Sequence, residues 1–276
     1  MAGRGEADGA RQGRRDNPKN RKEMKVATKK DTEQTIYVPE ITTETLVVHV
    51  LGMTPLICNR MSEKARHELL LPKGRKNAAE KASSLKHHPL SEYRASPYLM
   101  PDGADTLIGV MSSAFKGAMC MAALDLPGTK KAQIGRLTYV EGDYTGVYGV
   151  PKLLMAVVRS ADMNRTPDIR TRAILPEWAC QLRVTFVRPI MTAQSVVNLL
   201  TAAGITVGVG DWRAEKGKGN YGQYRLVNED NADYVRVMAA GRKAQAQALD
   251  EPEPYDDESA RLLSWWADEA KQRGKI

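Results

Sequence analysis

The stretch Gln181-Leu182-Arg183-Val184-Thr185-Phe186-Val187, then Pro189, then Thr192-Ala193-Gln194-Ser195-Val196-Val197-Asn198-Leu199-Leu200-Thr201-Ala202-Ala203-Gly204, sets the fold class. In its first half Leu182, Val184 and Phe186 alternate with Arg183, Thr185 and Val187, the period of a strand with one buried face. In its second half Val196, Leu199, Leu200 and Ala203 recur at helical spacing behind Thr192, with Gly204 expected as the C′ residue that ends the helix. A glycine-rich segment and a short strand at Gln223–Val227 follow. Strand, helix and strand in this order are half of an α+β unit.

The other half is read nearer the N-terminus. Thr45–Leu51 predicts a strand with Leu46, Val48 and Val50 on one face, ending at Gly52 ahead of Pro55. A helix is expected after Ser112 or Ser113, either of which can cap it, with Phe115, Met119 and Ala122/Ala123 inward. Gly117 lies inside that helix, where glycine costs about 0.5–1 kcal/mol. It marks close approach by backbone or ligand, or it is an accident. Further expectations are a helix from Ser62 to Leu71, a turn-rich ribbon over Ile134–Gly149, and a strand at Lys152–Val158 buried on both faces. A polar segment is expected at Arg159–Glu177, a strand at Tyr234–Met238 and a short amphipathic helix at Ser259–Lys271.

The order is compatible with an α+β, ferredoxin-like (RRM-like) βαββαβ core. The core would occupy one domain, 35–240, with insertions at about 58–105 and 127–178. A basic arm over 1–34, disordered by itself, would precede it. An acidic linker and the C-terminal helix, 241–276, would follow.

Composition bounds the function. The 276 residues carry 41 Lys/Arg against 33 Asp/Glu, a formal net charge of +8. The excess is uneven: residues 1–30 carry net +6 with almost no apolar content, and 241–276 carry net −2. Such an arm cannot bury enough surface to offset its ordering entropy; it either lies on a polyanion or solubilises the terminus. No apolar run approaches the length of a membrane helix, and 3 cysteines without a CxxC argue against a disulfide framework or cysteine zinc site. The expectation is a protein of a reducing, cytoplasmic compartment (the host's, if viral) with no membrane partner.

The densest chemistry lies in Gly204–Arg225. Glycines allow close backbone approach, Arg213, Lys216 and Lys218 can meet phosphates, and Trp212, Tyr221 and Tyr224 offer faces for base stacking. Gly208-Val209-Gly210 follows a helix and leads into Asp211-Trp212-Arg213, so it is not a dinucleotide fingerprint, and Gly217-Lys218-Gly219 is not a P-loop. Arg159, Arg165, Arg170 and Arg172 make a second candidate surface, either backbone-positioning or a salt-bridged loop. Arg60 opens a third basic region. His67, His87, His88, Cys58 and Cys120 have no recognised metal-ligand spacing, and no nucleophile elbow or paired-carboxylate pattern is present. No catalytic residue, metal or cofactor is therefore expected. Trp265 and Trp266, behind the acidic run Asp250–Glu258, either dock elsewhere or fold back on their own domain; the second is preferred.

Three segments together resemble the RAMP superfamily, especially the backbone subunits of CRISPR effector complexes that line up along a guide RNA. They are Leu51-Gly52-Met53-Thr54-Pro55-Leu56 after the first strand, Leu107–Met119 with its small residues before Lys116-Gly117, and the glycine-rich Gly208–Gly222. The resemblance implies a ferredoxin-like fold in which these loops border a nucleic-acid groove, with Ser112, Ser113, Lys116, Arg213 and Lys218 touching backbone. The stretch through Gly208–Arg213 is also similar to bacteriophage proteins of recombination and replication modules. The resulting expectation is a non-enzymatic, largely sequence-independent single-stranded DNA-binding protein. It would assemble side by side along the strand as a homo-oligomer and recruit a phage recombinase or replication protein through its tail. The alternative is a guide-RNA-binding backbone subunit of a CRISPR-type complex.

Overall fold

Alternating apolar residues in two long segments nucleate the main sheet. The computed structural model describes residues 39–71, 86–159, 167–216 and 219–274, and all that follows concerns the unit Ile41–Ile276. The arm over 1–34 lies outside the described residues. In chain order the elements are β1 (Thr42–Gly52), β2 (Leu56–Ile57), α1 (Glu63–Leu70), α2 (Pro89–Ala95), β3 (Tyr98–Leu99), β4 (Ile108–Met111), α3 (Ser112–Ala122), α4 (Lys131–Leu137) and β5 (Thr138–Val140). After these come β6 (Tyr144–Gly146), β7 (Lys152–Arg159), β8 (Pro167–Leu175), β9 (Ala179–Arg188), α5 (Ala193–Thr206), β10 (Tyr224–Val227), α6 (Ala232–Met238), α7 (Arg242–Asp250) and α8 (Asp257–Gln272).

The strands form an antiparallel four-stranded sheet in the order β10–β1–β9–β5 and two three-stranded sheets, β2–β8–β7 and β3–β4–β6. In the first, Leu46 of β1 pairs with Val184 and Val48 with Leu182. Val48, Val50, Leu182, Val184 and Phe186 thus face Phe115 and Met119 of α3 and Val196, Leu199, Leu200 and Ala203 of α5 in one core. Close packing of α5 on β10 explains Gly204. It is not the helix end, because α5 runs to Thr206 and Gly208, at φ +75°, follows the cap. A Cβ on Gly204 would lie 2.2 Å from the Tyr224 carbonyl oxygen.

An α+β architecture with several sheets and helices is what the sequence implied in outline, but three sheets replace a single clean βαββαβ circuit. Several local expectations change. The Ile134–Gly149 stretch is no ribbon: β5 pairs with β9 and β6 with β4, so the Glu141–Asp143 turn hands the chain from one sheet to another. Buried residues of β7 are confined to its first half, Leu153–Met155, and Val157 is exposed. Within the polar Arg159–Glu177 segment, Pro167–Leu175 is strand β8, paired with β7 from Lys152↔Ile174 to Arg159↔Pro167; sheet pairing outweighs its poor apolar pattern. Tyr234–Met238 is helical in α6, capped by Asn231, whose side chain accepts from the Tyr234 N–H.

The acidic linker is pinned. Glu253 and Tyr255 exchange backbone bonds with Leu153 at 2.7 and 2.8 Å, and the Ser259 hydroxyl accepts from the Met155 N–H at 3.0 Å. Helix α8 lays Leu262 and Leu263 on the main core, so the C-terminal segment folds back on its own domain. Trp266 rests edge-on against His88, whereas Trp265 is exposed. No helix among the described residues is long and apolar enough to cross a membrane.

Candidate nucleic-acid interface

Strand β4 runs directly into α3, which fixes the start of the site. No side chain caps this helix: Met111 is the N-cap residue, and neither serine bonds its first turn. Ser112 is buried and its Oγ lies 2.9 Å from Thr145 Oγ1 on β6, tying the helix start to the third sheet. It cannot touch a ligand backbone. Ser113, on the next position, is exposed. Lys116 follows one turn on, and neither it nor Lys131 has an ion-pair partner among the described residues.

Ser113, Gly117, Met121, Lys131, Gly210 and Arg213 border an open cleft of about 420 Å³. Met111 and Ser113 also border a neighbouring cleft of about 280 Å³, together with Lys116, Gly142, Asp143 and Tyr144. The start of α3 and the glycine-rich loop are therefore brought together, as the resemblance implied. Gly117 has a notable place in this arrangement. A Cβ there would meet nothing within 4 Å, so no packing inside the protein calls for glycine at that position.

The glycine-rich loop is closed on one side and open on the other. Trp212 takes φ +50°, uncommon for a large side chain. Its ring sits 6.0 Å from that of Tyr221, and both pack with Tyr255 on Ile57, Leu154 and Ile174. Both rings are half-buried against this small core. Burial raises the Tyr221 pKa, helped by Tyr255 and Asp256. Tyr224 is further from the expectation: at 0 % exposure it lies in the main core, edge-on to Phe115 and Trp178, and burial drives its pKa up strongly. It is a core residue because β10 alternates and Tyr224 falls on the inward face.

Arg213 edges the larger cleft, but its Nη2 is 2.8 Å from Glu215 Oε2, so its charge is already paired. Its Nε is buried with no hydrogen-bond partner. Arg172 points inward, donating to the Cys58 carbonyl at 3.0 Å and standing 3.4 Å from Asp211; it braces β8 against the loop. Arg170 is exposed on β8, and Arg60 is half-buried, its backbone N–H bonded to Ser96. Neither belongs to the larger cleft's lining. Arg165 and Lys218 lie outside the described residues, as does the side chain of Lys216.

Sequence reasoning missed Tyr98 and Tyr144. Tyr98 borders the larger cleft and Tyr144 the smaller. They are distant in the chain, and only the β3–β4–β6 pairing brings them together. No composition signal marks either one.

The three cysteines are free and buried, and His87 and His88 are held by hydrogen bonds. Burial pushes the Cys58 thiol up to about 12 against the pull of Arg172, and raises Cys120 against Lys116 and Lys131. His87 stands between Glu92 and Asp168, 2.9 Å from each carboxylate, and the His88 ring accepts from the Ser91 N–H at the start of α2. Among the described residues no group of three or more His, Cys, Asp or Glu side chains is placed to hold a metal ion.

No family model matches the chain, and no curated protein matches it. Among solved structures it is similar to Cmr6 from Pyrococcus furiosus, at 8 % identity and a TM-score of 0.34, over 67 % of this chain and 98 % of that one. At that identity and TM-score the likeness is weak and partial, and it assigns neither a family nor a ligand. It also corrects the sequence reading: the structure found is Cmr6, not a phage recombination or replication protein. Single-stranded DNA as the ligand, a phage recombinase or replication partner and a role in recombination are withdrawn.

Proposed function

We propose that this chain is a non-enzymatic RNA-binding backbone subunit of a multi-subunit complex, holding a single-stranded RNA in the joined clefts beside α3. The observation that carries the reading is Gly117. A mid-helix glycine lowers helix stability by about 0.5–1 kcal/mol, and here nothing inside the protein requires it. It lies on the wall of the larger cleft with Ser113, Lys131, Arg213 and Glu215, Lys116 standing on the neighbouring cleft, and a missing side chain there leaves room for a ligand's backbone. Hydroxyl and ammonium donors in such a trough suit phosphates.

The same reading takes β1, α3, β5, β9, α5 and β10 as a ferredoxin-like βαββαβ unit. Its support is their order along the chain and the sheet order β10–β1–β9–β5. The domain limits 35–240, with insertions, go with this proposal. The net +6 of residues 1–30 adds non-specific phosphate attraction. Copies or partner subunits sit side by side along the RNA, so complex mass rises in steps with RNA length.

Titration of a labelled single-stranded RNA at several salt concentrations tests this. Lys116→Ala should weaken binding and make the salt slope shallower by about one unit. Gly117→Leu should weaken binding by filling the wall. Gly117→Ala should raise the melting temperature while lowering affinity, a combination that a purely structural glycine would not produce. Unchanged affinity in both Lys116→Ala and Gly117→Leu would remove the proposal.

A further inference from the structure

We propose that Tyr98 and Tyr144 form a stacking site for one unpaired nucleobase of the bound RNA. This rests on the cleft reading above and adds where a base goes. The site is built by the third sheet, in which Tyr98 lies opposite Gly109, Gly109 opposite Gly146, and Tyr144 opposite Met111. The two ring centroids are 5.4 Å apart with planes inclined by 34°, neither a parallel stack nor an edge-on contact. Tyr144 is 41 % exposed and Met111 beside it 42 %, so an aromatic face and a thioether meet solvent together.

Position decides what such a face is for. Tyr98 borders one cleft, Tyr144 the other, and Met111 and Ser113 border both, so the pair stands between two clefts that share part of their walls. Lys116 edges the smaller cleft and Lys131 the larger, neither paired to a carboxylate among the described residues. A ligand that satisfies both the ammonium groups and the rings must alternate anionic groups with planar rings at short spacing. That is a single-stranded nucleic acid. An apolar peptide would cover the rings and leave the ammonium groups unanswered. Every base has a π-face, so the site accepts any of the four.

The test compares a labelled single-stranded RNA with the same oligomer carrying abasic nucleotides, by fluorescence anisotropy with the full chain. Tyr144→Ala, and likewise Tyr98→Ala, should weaken binding of the intact RNA by about fivefold to a hundredfold. Tyr144→Phe, which keeps the ring, should bind like the parent. Abasic RNA should bind the parent more weakly than intact RNA does, and should not distinguish the parent from Tyr144→Ala. An unchanged affinity in Tyr144→Ala overturns the stacking site, as does an equal loss for intact and abasic RNA. In either case a weakened Lys116→Ala leaves the cleft reading standing; if Lys116→Ala and Gly117→Leu are both unchanged, the cleft reading falls with it.

Discussion

Two aromatic pairs stand on either side of the same structural boundary. Trp212 and Tyr221 lie in a loop full of glycine and basic residues, yet their half-buried rings pack with Tyr255 on Ile57, Leu154 and Ile174. Tyr98 and Tyr144 lie in short strands with no flanking charge pattern, yet they open onto the clefts. The difference teaches that glycine content and charge around an aromatic residue say little about its exposure. What decides is which sheet face or loop side it occupies, and what the rest of the chain lays over it. Here the C-terminal segment, drawn in by its bonds to Leu153, packs Tyr255 beside the first pair, whereas Tyr144 of the second stays 41 % exposed.

The sharpest way to break this contrast is by truncation. Tyr224→Ala should cost about 3–5 kcal/mol in urea unfolding, the loss for a core aromatic, whereas Tyr144→Ala should stay within about 0.5 kcal/mol, as surface changes do. Tyr224→Phe should cost nothing, because the Tyr224 hydroxyl is buried without a hydrogen-bond partner and its loss leaves no group unsatisfied. Similar losses at Tyr224 and Tyr144 would abolish the distinction between closed and open aromatics.

Acid probes the first side through β8, which carries both Ile174 and Asp168. Burial pushes the Asp168 carboxyl up, but hydrogen bonds and charge from Lys86 and His87 outweigh it, and the net shift is downward. A lowered native pKa contributes stability that is complete above the unfolded value of about 3.9 and is lost as pH falls through the native value. The melting temperature should therefore fall below about pH 4, and Asp168→Asn should flatten that part of the profile. An unaltered acid slope in the variant would show that this carboxylate does not secure β8. The smallest effect is expected at the cleft edge. Glu215→Gln removes the charge paired with Arg213 and should tighten RNA binding by about two- to fivefold at low salt, measured in the same titration.

Much of the main sheet was legible. Leu46, Val48 and Val50 in β1, Leu182, Val184 and Phe186 in β9, and the stripe of α5 all alternate or recur with the right period, and all pack in the core. Legibility failed where neighbours overrule pattern. Strand β8 reads as polar because Asp168, Arg170 and Arg172 are accommodated by ion pairs and an open face. Helix α6 reads as a strand because a short apolar alternation does not distinguish the two. At the site, the meeting of α3 with the glycine-rich loop was foreseeable from the resemblance, whereas the inward turn of Ser112, Arg172 and Tyr224 was not.

The sequence by itself determined the periodic elements, the uneven charge, and the presence of a small-residue helix start and a glycine-rich loop, because period and composition are local properties of the chain. Only the tertiary structure decided which aromatic rings are buried, where Arg213 spends its charge, and that Gly117 looks onto empty space. Those depend on contacts between residues far apart in the chain, whose free energy comes from burial and ion pairing that no local window contains.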